Sequence, residues 1–251
     1  MLSPQTISSQ LEAVADEGHA RRVSRHISPL KGLRGVPSRE VVSVLVSAWK
    51  NNGVTLPRDC EGLARLFRTA HEDGLVAIGL TAAALPDAPD AALDLAERWM
   101  EVADDLDTAD AIGWLLLGPG LLATGEPFVE HLNELLSESS PIRRRTAVIA
   151  LMATLPVPIE GPAAAALRAR LKQKKVAFVQ EPIDALLQGV LPHALKDRDP
   201  HVRKAVARVM RTWAVSSPDI VEMILAEQPG GVNRFIREEA EKGIRKGRRK
   251  R

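Results

Sequence analysis

The chain is 251 residues long, enough to bury a sizeable core in one domain or two. Its formal net charge of +2 conceals a split: residues 1–140 hold 11 Lys/Arg against 21 Asp/Glu, net −10, and residues 141–251 hold 23 against 11, net +12. One cysteine, Cys60, excludes an intramolecular disulfide framework and a cysteine-built zinc site, and the six histidines show no metal-ligand spacing.

Taken in chain order, nearly every segment reads as helix. Period-2 strands joined by hairpin turns are absent, and there is no Tyr. Proline beside a capping residue marks helix starts at Ser3-Pro4, Pro37-Ser38, Leu56-Pro57, Ala88-Pro89, Glu126-Pro127, Ser140-Pro141, Asp199-Pro200 and Ser217-Pro218. Gly53 and Gly125 mark ends. The pattern predicts about a dozen helices of about 10–16 residues with short connections. The near-apolar run Gly74 to Pro86 is too short to span a bilayer.

A weak repeat runs through the later part. Pro141-Ile-Arg-Arg-Arg-Thr-Ala-Val-Ile-Ala-Leu-Met is similar to Pro200-His-Val-Arg-Lys-Ala-Val-Ala-Arg-Val-Met, and Asn233-Arg-Phe-Ile-Arg-Glu-Glu-Ala adds a third copy. Repeated helix pairs stack because one pair alone cannot bury its apolar face. The expected fold is therefore all-α, a curved α-solenoid of HEAT-like antiparallel helix pairs. One domain is expected over residues 1–241. Residues 242–251, seven of them basic, read as a frayed helix end and mobile tail.

Residues 196–213 carry two patterns at once. Val202, Val206, Val209, Met210 and Trp213 form an apolar stripe at helical spacing, while Lys204, Arg208 and Arg211 form a basic stripe at i, i+4 and i+7. Such a helix offers one face to a core and another to an anion. With the charge split, this points to a polyanion such as nucleic acid. Basic residues at successive helix starts would line one groove: Arg143, Arg144, Arg203, Lys204, Arg208, Arg211, Arg234 and Arg237.

Four segments carry a resemblance. They are Gly35-Val-Pro-Ser-Arg-Glu-Val; His71-Glu-Asp-Gly-Leu-Val-Ala-Ile-Gly-Leu; Leu106-Asp-Thr-Ala-Asp110-Ala-Ile with Leu117-Gly-Pro; and Ile142-Arg-Arg-Arg145-Thr-Ala-Val paired with Val202-Arg-Lys-Ala-Val, then Ile236-Arg-Glu-Glu-Ala. In order and rough spacing, over about residues 18–245, the chain resembles the AlkD-like family of HEAT-like-repeat DNA alkylation-repair glycosylases.

The resemblance implies a concave basic face that holds double-stranded DNA. It also implies hydrolysis of the N-glycosidic bond of positively charged alkylpurines without flipping the base into a pocket. By position, Asp110 matches the family's catalytic carboxylate and Arg145 the arginine facing the DNA backbone. A fixed carboxylate suits this chemistry, because breaking the bond builds positive charge on the sugar. An arginine can clamp a phosphate with both arms. Two departures stand out: Leu106 and Arg208 occupy places where the family pattern has Trp, and the loss of two rings widens the expected substrates from cationic alkylpurines to bulky-adduct purines. Trp114, four residues after Asp110, could supply the missing ring, while Trp49, Trp99 and Trp213 read as core.

Asp110 and Arg145 could also be only inter-repeat glue. The alternatives are then a non-catalytic binder of damaged or branched DNA, or a protein–protein scaffold. No metal or cofactor is called for. The N-terminus lacks a signal-peptide pattern. The expectation is a soluble, cytoplasmic, nucleoid-associated monomer with no membrane partner.

Overall fold

The computed structural model describes residues 2–27, 29–155, 161–174, 183–228 and 231–249, and every regular element among them is helical. The helices are α1 (Pro4–Ala13), α2 (Glu17–Val23), α3 (Ser38–Asn52), α4 (Cys60–Phe67), α5 (His71–Ala84), α6 (Pro89–Met100), α7 (Leu106–Ile112), α8 (Gly118–Thr124), α9 (Phe128–Leu136), α10 (Pro141–Ala150), α11 (Ala165–Lys174), α12 (Ile183–Ala194), α13 (Pro200–Ser216), α14 (Pro218–Glu227) and α15 (Arg234–Arg248). A π turn over Gly113–Leu117 joins α7 to α8 without a break. The all-α class expected from the sequence is the class observed.

The starts have local causes. Ser3, Asp16, Asp105, Ser140, Asp199 and Asn233 each accept a backbone N–H from the first turn they precede. Pro follows Ser3, Ser140 and Asp199, where its missing N–H costs nothing. One expected start is displaced. Leu56-Pro57 lies in a turn, and α4 begins at Cys60. The reason is Asp59, which is buried, accepts N–H bonds from Leu2 and Thr55, and pairs with Arg58 at 2.6 Å.

Packing follows chain order. All fourteen residues of α5 are buried, so α5 is a central helix rather than an amphipathic surface one. From it the contacts run α5 to α7, α7 to α10, α10 to α13 and α13 to α15. Helices α4, α6, α9 and α14 pack on members of this row. Most helices meet near neighbours, as stacked repeats do, while α11 packs back on α3 and α5. The three copies of the weak repeat begin α10, α13 and α15, three successive members of the row.

The first two segments of the resemblance are locked together. Glu72, buried at the start of α5, accepts backbone N–H bonds from Arg34, Gly35 and Val36 at 3.0, 2.7 and 3.0 Å. Gly35 has a positive φ of 79°, so a side chain there would be strained.

The expected tail begins inside a helix. Residues 242–248 continue α15, so the boundary at 241 falls within it. Gly243, Ile244 and Gly247 are buried among the basic residues. A methyl group on Gly243 would collide with the carbonyl of Arg211, and one on Gly247 would lie 2.7 Å from that of Val215. Two glycines one turn apart thus let α15 lie directly on the backbone of α13. Arg248 adds an ion pair to Glu222 at 2.6 Å. Residues 250 and 251 lie outside the described residues.

Candidate active site

The candidate site is built on the start of α7. Asp105 caps that helix, accepting from the Thr108 N–H at 2.8 Å and from its hydroxyl at 2.7 Å, while His71 Nδ1 of α5 lies 3.3 Å away. Burial would raise the Asp105 pKa, but the His71 and Thr108 bonds outweigh it and hold it at about 2. A carboxylate that is ionised at neutral pH therefore pins α7 to α5.

One turn on, Asp107, Asp110 and Trp114 fall at i, i+3 and i+7 and share a face. Behind them the π turn widens the helix, so residues five apart return to one side. Gly113 and Gly118 use this. A methyl on Gly113 would lie 2.5 Å from the Thr146 carbonyl, and one on Gly118 would strike that of Ala150. Both belong to α10, which therefore packs against the π turn and the start of α8 backbone to backbone.

That close approach brings Arg145 of α10 to Asp110. Its Nε and Nη2 donate to Asp110 Oδ1 and Oδ2 at 2.7 and 2.9 Å. Its Nη1 donates to the carbonyl of His201 in α13 at 2.5 Å. Arg145 is only 8 % exposed and has a partner at each guanidinium nitrogen, so the group is fixed.

Asp110 keeps a 19 % exposed side chain that opens on a cleft of about 300 Å³. Leu75, Asp107, Asp110, Ala111, Trp114 and Leu115 line it, with the loop 161–163 and Arg208. Asp107 reaches solvent at the mouth, yet the surrounding walls strip enough water from it to raise its pKa, against the pull of His71. Arg208 of α13 crosses the cleft. Its guanidinium lies 5.0 Å from the centre of the Trp114 ring and 3.4 Å from Asp110 Oδ2.

A family model described as DNA alkylation repair enzyme matches residues 7–244. The chain belongs to that family. No curated protein matches it.

Seen as a DNA alkylation repair enzyme, the chain departs from the expected pattern at the site itself. Leu106 is half-buried at the first position of α7 and does not line the cleft. Trp114 supplies the aromatic ring among the described cleft residues. The other tryptophans lie elsewhere: Trp213 is buried and donates to Asp184 at 2.6 Å, Trp99 stacks on Phe67 at 4.6 Å, and Trp49 faces Arg170.

The cations expected to line a groove divide into two sets. Several are neutralised. Arg143 lies 2.9 Å from Glu138, and Arg144 grips Asp197 at 2.6 and 3.4 Å. Arg211 bonds Glu239 at 2.9 Å, and Arg234 bonds Glu238 at 2.7 Å. Arg203 donates to the Asp197 carbonyl at 2.9 Å. That bond leaves the Arg203 charge in place, and among the described residues Lys204 and Arg237 carry no acidic partner, with Lys204 exposed on α13.

Sequence reasoning passed over Asp107 and the loop 161–163. Asp107 had a signal, since it lies on the Asp110 stripe one turn earlier. The loop had none, because it comes to the cleft from some fifty residues away in sequence. No helix of the described residues is long and apolar enough to cross a membrane.

Proposed function

We propose that the protein binds duplex DNA and hydrolyses the N-glycosidic bond of alkylated purines, with Asp110 as the catalytic carboxylate and Arg145 holding it. The observation that carries this reading is a forked Asp110–Arg145 pair that still opens on a cleft beside an aromatic face. In the reaction the C1′–N bond breaks and its electron pair leaves with the base, which departs neutral if it was cationic. Positive charge develops on the sugar, and water oxygen then bonds to C1′ and gives up one of its two protons to solvent. Asp110 faces that charge at fixed distance, which is where electrostatic stabilisation acts. Arg145 prevents the carboxylate from turning away. Trp114 offers its face to the purine. Of the expected groove cations, Arg203, Lys204 and Arg237 have no acidic side-chain partner and are left to meet phosphates, an attraction that is salt-dependent.

A second reading has its own support. The Arg145 bond to the His201 carbonyl ties three helices together, as inter-repeat glue would, and the neutralised arginines weaken a phosphate-lined groove. This reading is a binder or scaffold without catalysis. A base-release assay on duplexes carrying either methylated or bulkier-adducted purines separates the two. Release by the wild-type protein, abolished in Asp110→Asn with duplex affinity retained, supports the glycosylase. Retention of DNA without release sinks it.

A further inference from the structure

Two guanidinium groups meet Asp110, and they differ in kind. Arg145 is buried and bonded at every nitrogen, so it belongs to the framework. Arg208 touches Asp110 once, at 3.4 Å, and its side chain is 42 % exposed. It lies over the Trp114 ring, 5.0 Å from the centroid. A cation stacked on the aromatic face and paired with the carboxylate takes both attractions that a cationic base or sugar would use. No other cation lines the cleft among the described residues. Its exposed contacts are individually weak, so Arg208 can leave by rotating its side chain, whereas Arg145 would have to break three bonds.

We propose that Arg208 is a specificity-determining residue: it occupies the cleft as a resident cation, which a positively charged substrate group must expel before it can reach Asp110 and Trp114. The inference rests on the proposed site and deepens it by naming the charge class the site selects. Small cationic methylpurines meet a seat already taken. Larger adducts whose base is neutral can enter without competing for Asp110, and their oxygen or nitrogen acceptors can bond to the guanidinium. Lysine at this position would keep the charge but lose the flat face that stacks on the indole.

The test measures affinity for two duplexes that carry no scissile bond. One holds a cationic pyrrolidine in place of a deoxyribose, the other a neutral tetrahydrofuran. The ratio of the two affinities, at fixed ionic strength, reads the charge preference of the site. Arg208→Gln is expected to raise the preference for the cationic duplex about three- to tenfold, and Arg208→Lys to raise it less. Asp110→Asn is expected to lower it. A ratio that falls in Asp110→Asn but does not move in Arg208→Gln overturns this inference alone. A ratio indifferent to Asp110→Asn overturns the proposed site and the inference with it.

Discussion

Arg145 grips Asp110 with both arms of its fork across 35 residues of sequence. The pair joins α7 to α10 and leaves one edge of the carboxylate facing the cleft. On the proposed function, structure and chemistry depend on the same two side chains, and variants must be read on both. Asp110→Asn keeps the shape and one acceptor. It is expected to cut base release about 10²–10³-fold while lowering stability by only about 1–2 kcal/mol. Arg145→Ala strips the fork and leaves the carboxylate without its fixed partner, for an expected loss of about 3 kcal/mol. Release kinetics and urea unfolding of both variants check the two effects. Equal stability losses with unimpaired release would leave only the structural role.

Asp105 gives the acid limb of stability a specific cause. Its pKa is depressed in the fold from 3.8 to about 2. A depressed acid stabilises the fold above its unfolded value and loses that contribution as pH falls. The window is therefore pH 4 down to pH 2, and the amount is about 2 kcal/mol. Asp105→Asn should flatten the stability curve across that window, measured by urea unfolding at each pH. An unchanged slope would remove Asp105 from the account.

Gly243→Ala sets two effects against each other. Alanine in an exposed helix interior gains about 1 kcal/mol over glycine. Here the new methyl would meet the Arg211 carbonyl, which backbone movement alone could relieve. The clash should win by about 1–3 kcal/mol and loosen α15 from α13. Denaturant unfolding gives the sign directly, and a stabilised variant would mean that α15 does not lie on α13 as described.

Lys204 and Arg144 make a contrasting pair. Lys204 is exposed and unpaired among the described residues. Arg144 is half-buried, grips Asp197, and donates to the Glu138 and Ser139 carbonyls at 2.9 and 2.8 Å. Lys204→Ala should weaken duplex binding and reduce the salt slope by about 1, with little loss of stability. Arg144→Ala should do the reverse, costing about 2–3 kcal/mol and leaving the salt slope alone. Affinities across a salt series, with melting curves, distinguish them. A salt slope that falls only in Arg144→Ala would invert the assignment.

The helices were legible because their starts are written locally, in Ser, Asp and Asn caps and in prolines that follow them. The order of stacking was legible because the repeat copies at 141, 200 and 233 begin three successive helices of the row. The state of the arginines was not. Whether a guanidinium is free depends on an acid that may lie close or far in sequence, as with Arg144 and Asp197, 53 residues apart. Helical spacing places a cation on a face but does not say what that face meets. The docked end of α15 was hidden for a related reason: charge dominates the composition there, while Gly243 and Gly247 dominate the packing.

The π turn sets the rotational phase of everything before it. It spends one residue more per turn than an α-helix, and this lets Gly118 and Gly113 both meet α10 while Asp110 still faces Arg145. Removing Leu116 or Leu117 would take away no group that lines the cleft. It would swing the segment carrying Asp107 and Asp110 by about 100° about the helix axis. The carboxylate and the glycine seam could then no longer be satisfied together, so apolar replacements of Leu116 or Leu117 should be tolerated far better than any change in the length of the stretch.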